Sequence, residues 1–238
     1  MKYIIKLELK KPQFRSDYRR IIISFFKKSI SSYMDGYFYD ELYQSGSKKK
    51  PFVWSIAFIK PKFKGEFMEL EGNEVNMTLK FEDPQTALIY YSSLLMMKNK
   101  SFNVGDDNEI SLKSIKMISE KEIADDYAVF KILSPICLKH HYKANKKDRY
   151  LTVEDNDFAL ELAGKLKEDI AYMEEEIESL KYDLRGLRKI IVPAYGLKIP
   201  VTIGNFAVSG DSKILNHILK NGIGSKRNSG FGLVEQVI

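Results

Sequence analysis

Apolar and polar residues alternate through "KYIIKLELK" at the start of the chain, the period of two that turns one face of a β-strand toward a core. The period then changes. Within "FRSDYRRIIISFFKKSISSY", Phe14, Tyr18, Ile22, Phe25, Ser29 and Tyr33 recur at helical spacing. Two strand-like runs follow, "PFVWSIAFI" and "NEVNMTLKF", separated by a charged connector. In "DPQTALIYYSSLLMMKN", Asp83 is placed to cap a helix and Pro84 to occupy its first turn; Thr86 at the third position leaves the capping box incomplete. "EISLKSIKMI" supplies another strand, and the order is βαββαβ.

After the polar "SEKEIADD" the same order is predicted again. "YAVFKILSPICLK" reads as a strand. "LTVEDNDFALELAGKLKEDIAYM" reads as an amphipathic helix opened by a Thr152 to Asp155 capping box. "LRKIIVPAYGLKIPVTIGNFAVSG" supplies two strands, "DSKILNHILKNG" a helix between Asp211 and Gly222, and "GFGLVEQVI" a last strand. Ile170, Met173, Ile177, Leu180, Leu184 and Leu187 continue the helical spacing through "EDIAYMEEEIESLKYDLRGL". Core packing is favoured over a coiled seam or dimer contact, because the repeat spans fewer than three heptads. The expected fold is α+β, two tandem ferredoxin-like (RRM-like) domains over residues 1–120 and 127–238, repeated in pattern and without visible identity between the halves.

Composition narrows the function classes. There is no run of 18 apolar residues and no leader pattern at the start, so the expectation is a cytoplasmic protein with no membrane segment. The single Cys137 lies in an apolar run, where a small buried side chain is favoured over a nucleophile, and it excludes a disulfide or thiolate-zinc set. "ADD", "GDDNE" and "VEDND" look like turns and helix caps, which disfavours a metal nuclease, and no cofactor is expected. The net charge of +6 points to a polyanionic partner. Basic residues concentrate in "KKPQFRSDYRR", "GSKKKP", "IKPKFKG", "KHHYKANKKDR" and "GSKRN", which makes an RNA or DNA surface the favoured reading over solvated surface charge. A generic RNA-recognition module is weaker, since "NMTLKF" and "SIKMI" lack dense aromatics.

The most specific motif is "NGIGSKRNSGFGLVEQVI", with Gly222, Gly224, Gly230 and Gly232 in the spacing G-h-G-x5-G-h-G around Lys226 and Arg227. Glycines admit positive φ and allow backbone N–H groups to converge on a phosphate; a helix C-cap followed by a glycine-bulged hairpin is the plainer alternative. With this loop ahead of its last strand, the chain resembles the RAMP-superfamily CRISPR repeat endoribonucleases, the Cas6 family. "DYRRIIISFFKKSI" is similar to the first helix of that family, "ELYQSGSKKKPFVWS" to its active-site loop, and "LSPICLKHHYKANKKDRYLT" to the strand that opens its second domain.

The resemblance implies a metal-independent endoribonuclease that cuts precursor CRISPR RNA within repeats. A ribose 2'-OH attacks the adjacent phosphate and leaves 2',3'-cyclic phosphate and 5'-OH ends. The implied partners are CRISPR repeat RNA and other subunits of an effector complex, with the chain as monomer or homodimer. Histidine usually moves the protons, from the loop after the first helix. Here the three histidines are His140, His141 and His217, and none lies in that loop. Aligning "KPFVWS" puts Lys50 on the family's lysine position and Tyr43 near the histidine position. Tyr43, with Lys48, Lys49 or Lys50 lowering its pKa, is therefore one candidate for the chemistry; His140 or His141 reaching in from the second half is another. Gly222, Gly224, Lys226, Arg227, Gly230, Gly232, Arg19, Arg20, His140 and His141 are the expected RNA contacts, with Lys226 and Arg227 at the lip of the loop. His217 reads as a partly exposed helical residue. A catalytically inactive RNA-binding subunit is the alternative function.

Overall fold

The computed structural model describes residues 1–44, 51–142 and 147–237, with the side chains at positions 141, 142 and 147 left out; it divides into two compact units. Unit 1 comprises Met1–Glu120 together with Pro193–Gly196, and unit 2 comprises Lys121–Val192 and Leu197–Ile238. The stretch with Lys48, Lys49 and Lys50 lies outside the described residues, as does the side chain of His141.

Unit 1 runs β1 (Lys2–Leu9), β2 (Gln13–Arg15), α1 (Arg19–Ser31), β3 (Phe52–Ala57), β4 (Lys62–Lys64), β5 (Phe67–Glu69), β6 (Glu74–Phe81), α2 (Pro84–Met96), β7 (Ser101–Gly105) and β8 (Asn108–Ile118). Its main sheet has the order β3-β6-β1-β8-β7 with antiparallel pairing between neighbours throughout, which is the ferredoxin-like arrangement plus one edge strand. The alternation in β1 buries Tyr3, Ile5, Leu7 and Leu9. They meet a core in which Phe26 sits edge-to-face on Trp54 and Tyr90, with centroids 5.9 and 5.8 Å apart. The capping of α2 is as expected: the Asp83 carboxylate accepts from the Thr86 N–H at 2.7 Å, and Pro84 opens the helix.

Two expectations in this unit are corrected. Helix α1 begins at Arg19, because Phe14 pairs with Met68 in a small sheet of order β2-β5-β4, and the strand register overrides the helical spacing. The charged connector is itself a hairpin, β4 against β5, turning at Gly65.

Unit 2 runs β9 (Tyr127–Ile132), β10 (Leu138–Tyr142), β11 (Lys147–Leu151), α3 (Phe158–Asp169), α4 (Glu174–Glu178), β12 (Lys181–Asp183), β13 (Leu187–Ala194), β14 (Leu197–Ser209), α5 (Ser212–Asn221) and β15 (Val234–Gln236). Its sheet has the order β12-β14-β9-β15, with β13 also on β14, again the ferredoxin-like order. The predicted strand "YAVFKILSPICLK" is interrupted at Ser134-Pro135. Pro135 offers no N–H to a ladder, and the chain leaves the sheet to form the inserted hairpin β10–β11.

The helix predicted from Thr152 starts six residues later. The Asp155 carboxylate accepts from the Thr152 N–H at 2.8 Å while the Asp155 N–H donates to the Thr152 carbonyl, and this closed turn precedes α3. The helix also stops at Asp169. Ile170, Met173, Ile177 and Leu180 are buried in the core of unit 2 through a 3₁₀ turn and the short α4, and the stretch from Lys181 is strand. Among the described residues, no helix is long and apolar enough to cross a membrane.

Candidate nucleic-acid interface

Helix α5 delivers the chain into the glycine loop. The Asp211 carboxylate accepts from the Lys213 N–H at 2.7 Å to start the helix, and Gly222, with φ +71°, ends it. The buried Ile223 donates its N–H to the Gly232 carbonyl at 2.8 Å, which ties the two ends of the loop together. The Ser134-Pro135 segment backs it. The Gly232 N–H donates to the Pro135 carbonyl at 2.9 Å, the Ser225 N–H to the Cys137 carbonyl at 2.7 Å, and the Lys139 N–H to Ser225 Oγ at 3.1 Å.

Two of the glycines are dictated by this packing. Gly224 has φ +87°, and a Cβ there would lie 2.8 Å from the Cys137 carbonyl oxygen. Gly232 has φ +71°, and a Cβ would collide with the Ile223 carbonyl. Between them Lys226 is left-handed at φ +59°, ψ +31°, and one 3₁₀ turn, Arg227–Ser229, leads to Gly230. Ser225, Lys226, Asn228 and Ser229 are partly exposed.

Arg227 departs from its expected place at the lip. Its side chain is 9% exposed, and its guanidinium grips Asp169 at 2.6 and 2.9 Å while donating to the Asn221 and Gly222 carbonyls at 3.3 and 3.4 Å. Asp169 is the last residue of α3, where a carboxylate faces the negative end of the helix dipole; the fork of Arg227 offsets this. His217 is a partly exposed residue of α5, as expected, with its side chain 10% exposed; Nε2 lies 3.3 Å from Asp169 Oδ2, and Nδ1 lies 3.0 Å from the Asn221 amide nitrogen. The basic loop residue that stays partly exposed is Lys226, and Arg227 is the pin that holds the loop to α3 and α5.

In unit 1, Tyr43 lies in a single π-helical turn, Asp40–Gln44, after α1. Its hydroxyl is 2.6 Å from the hydroxyl of the fully buried Tyr90, its ring lies 5.6 Å from that of Tyr39, and Lys27 Nζ is 5.5 Å from the ring centroid. Burial raises the Tyr43 pKa well above the ordinary phenol value, with a smaller raising contribution from Tyr39 and an opposing one from the Tyr90 hydrogen bond. The direction is opposite to the expected lowering by lysines. Tyr43 is a neutral phenol and a poor base.

The remaining expected contacts divide. Arg19 is 2% exposed with its guanidinium 4.8 Å from the Tyr18 ring centroid, whereas the neighbouring Arg20 is exposed. His140 is half-exposed on β10, its Nδ1 3.0 Å from Glu161 Oε2 on α3, so a carboxylate shares whatever it contacts. Sequence reasoning missed Asp169, Asn221, Lys27 and Tyr90. For Lys27 and Tyr90, the only available signal was their position on predicted helices.

Residues 118–236 match the family described as CRISPR associated protein Cas6, C-terminal. No curated protein sequence matches the chain. Among solved structures it is similar to one described as a RAMP protein binding different RNA substrates, at TM-score 0.83 and 19% identity over 100% of both chains. It is also similar to a Cas6-related protein from Pyrococcus furiosus, at TM-score 0.84 and 19% identity over 100% of this chain and 98% of the other. A CRISPR associated protein Cas6 follows at TM-score 0.76 and 19% identity, over 100% of this chain and 99% of that one.

Proposed function

The chain belongs to the Cas6 family of CRISPR-associated proteins, whose business is binding and processing CRISPR repeat RNA, and on that premise we propose that it binds repeat RNA and cuts it without metal. The observation that carries this reading is the glycine loop of the family-matched unit, tied at both ends by backbone hydrogen bonds and with Lys226 partly exposed. In the proposed reaction a ribose 2'-oxygen attacks the adjacent phosphorus in line. The bond from phosphorus to the 5'-oxygen breaks, and the proton lost from the 2'-OH is balanced by one gained at the departing 5'-oxygen. The products are a 2',3'-cyclic phosphate and a 5'-OH.

With Tyr43 held neutral, the catalytic contribution rests on two effects: alignment of the 2'-OH with the scissile bond, and cationic neutralisation of the charge that builds on the phosphoryl oxygens. Lys48, Lys49 and Lys50 are assigned that second role. Such a reaction is slow, and slow cleavage suffices when the product stays bound.

A binding-only reading is favoured by one specific observation, the enclosed, hydroxyl-paired Tyr43 in the segment where the family carries a histidine. Incubation of repeat RNA with the protein in chelator separates the two. Cleavage lost in a Lys50→Ala variant and retained in Tyr43→Phe supports the enzyme; tight binding with intact RNA leaves the binding subunit.

A further inference from the structure

On the helical side of unit 2, away from the sheet, α5 and the turn Ala171–Met173 enclose a cleft of about 300 Å³. That is the lower end of the size range for small-molecule sites and matches one nucleotide. Its apolar floor is Ile170 and Met173, each 6% exposed. Tyr172 lines the same cleft but is 84% exposed, so its ring serves no core.

Lys213 and Lys220 stand two turns apart on the α5 wall, about 10 Å along the axis. Lys220 is 2.6 Å from Glu122, and Lys213 is exposed. Asn216 shapes the wall: its amide bonds Ile123 on both backbone groups and the Ser212 carbonyl. His217 completes the wall. Its Nδ1 lies 3.0 Å from the Asn221 amide nitrogen and its Nε2 3.3 Å from Asp169 Oδ2, and Asp169 in turn grips Arg227 of the glycine loop. Glu122 also lines the cleft and engages Lys220, so the aromatic rim, the apolar floor and Lys213 are the parts that recognise a ribonucleotide by stacking and charge rather than by base identity.

We propose that this cleft is a ribonucleotide subsite, with the base stacked on Tyr172 and the phosphate at Lys213, occupied by a unit of the RNA strand that the glycine loop holds. The inference rests on the RNA-binding reading. Occupancy is transmitted to the loop through His217, Asp169 and Arg227, so the subsite extends the RNA path and does not form a separate centre.

The test uses the full chain and a fluorescein-labelled oligouridylate, read by anisotropy at several salt concentrations, beside imidazole proton NMR. With three histidines in the chain, the His217 signal is assigned from His217→Gln. Tyr172→Ala is expected to weaken binding about 5- to 140-fold, with Tyr172→Phe restoring it. Lys213→Ala should flatten the log–log salt dependence by about 0.7. Saturating oligouridylate should shift the His217 signal in wild type and not in Tyr172→Ala. If wild type binds RNA, both variants bind equally well and His217 does not move, the subsite is refuted while RNA binding stands. If wild type does not bind, the underlying reading fails with it. A His217 shift produced by AMP alone, with RNA affinity indifferent to Tyr172, would assign the cleft to free nucleotides and overturn its place on the RNA path.

Discussion

Replacing Arg227 with Met separates a pin from an RNA contact. The guanidinium makes two charge-assisted bonds to Asp169, at 2.6 and 2.9 Å, between side chains only 9% and 7% exposed. Removing it leaves the Asp169 carboxylate buried at the C-terminus of α3, without its fork, and two carbonyl contacts are lost as well. Breaking one side of a buried pair costs about 3–5 kcal/mol, whereas a residue at an exposed lip would cost less than about 0.5 kcal/mol. For a unit of this size the larger figure lowers Tm by on the order of 10 °C or more. Thermal unfolding followed by circular dichroism measures it, with Asp169→Leu and the double variant closing a mutant cycle. The double variant is expected to recover much of the loss, because an apolar pair leaves no unpaired buried charge. An Arg227→Met protein that melts with wild type while losing RNA affinity would refute the pin and return Arg227 to the interface.

Other consequences are open to measurement. Gly232→Ala forces a Cβ into the Ile223 carbonyl at φ +71°, so the variant should lose several kcal/mol or fail to fold, read by urea titration; a neutral result would mean the loop is not held as described. Lys226→Ala should reduce the salt slope of RNA binding by about 0.7, and an unaltered slope would exclude it from phosphate contact. Tyr43, Tyr90 and Tyr182 should remain un-ionised above pH 10, since burial raises all three. A raised folded pKa means that their contribution to stability is present below pH 10 and is lost as pH rises above it. Absorbance titration should therefore show late tyrosines that ionise only with unfolding, one fewer in Tyr43→Phe, and early ionisation of Tyr43 would revive it as a base.

What the sequence disclosed follows from how local each cause is. Asp83-Pro84 and Asp211 with Gly222 were legible because a cap is made within a few residues of itself. Thr152 and Asp155 misled for the same reason: the pair does bond reciprocally, but it closes a turn that begins six residues before α3 instead of opening the helix. The βαββαβ order was readable from periodicity, while the hairpin β10–β11 was hidden by an apolar run broken only by Pro135. At the candidate site the decisive partners are distant in sequence. Tyr43 meets Tyr90 across 47 positions and Arg227 meets Asp169 across 58, so the phenol looked activated and the arginine looked free until the fold joined them.

The central claim is that this chain binds repeat RNA and cuts it through its own 2'-oxygen. It is tested most directly by incubating the protein, in chelator, with end-labelled repeat RNA and with the same RNA carrying a single 2'-deoxy substitution at the cut position. The account predicts slow cleavage of the first to a 2',3'-cyclic phosphate and a 5'-OH, with the second bound equally well and left whole. Tight binding with both RNAs intact after many hours, or equal cutting of both, would contradict it.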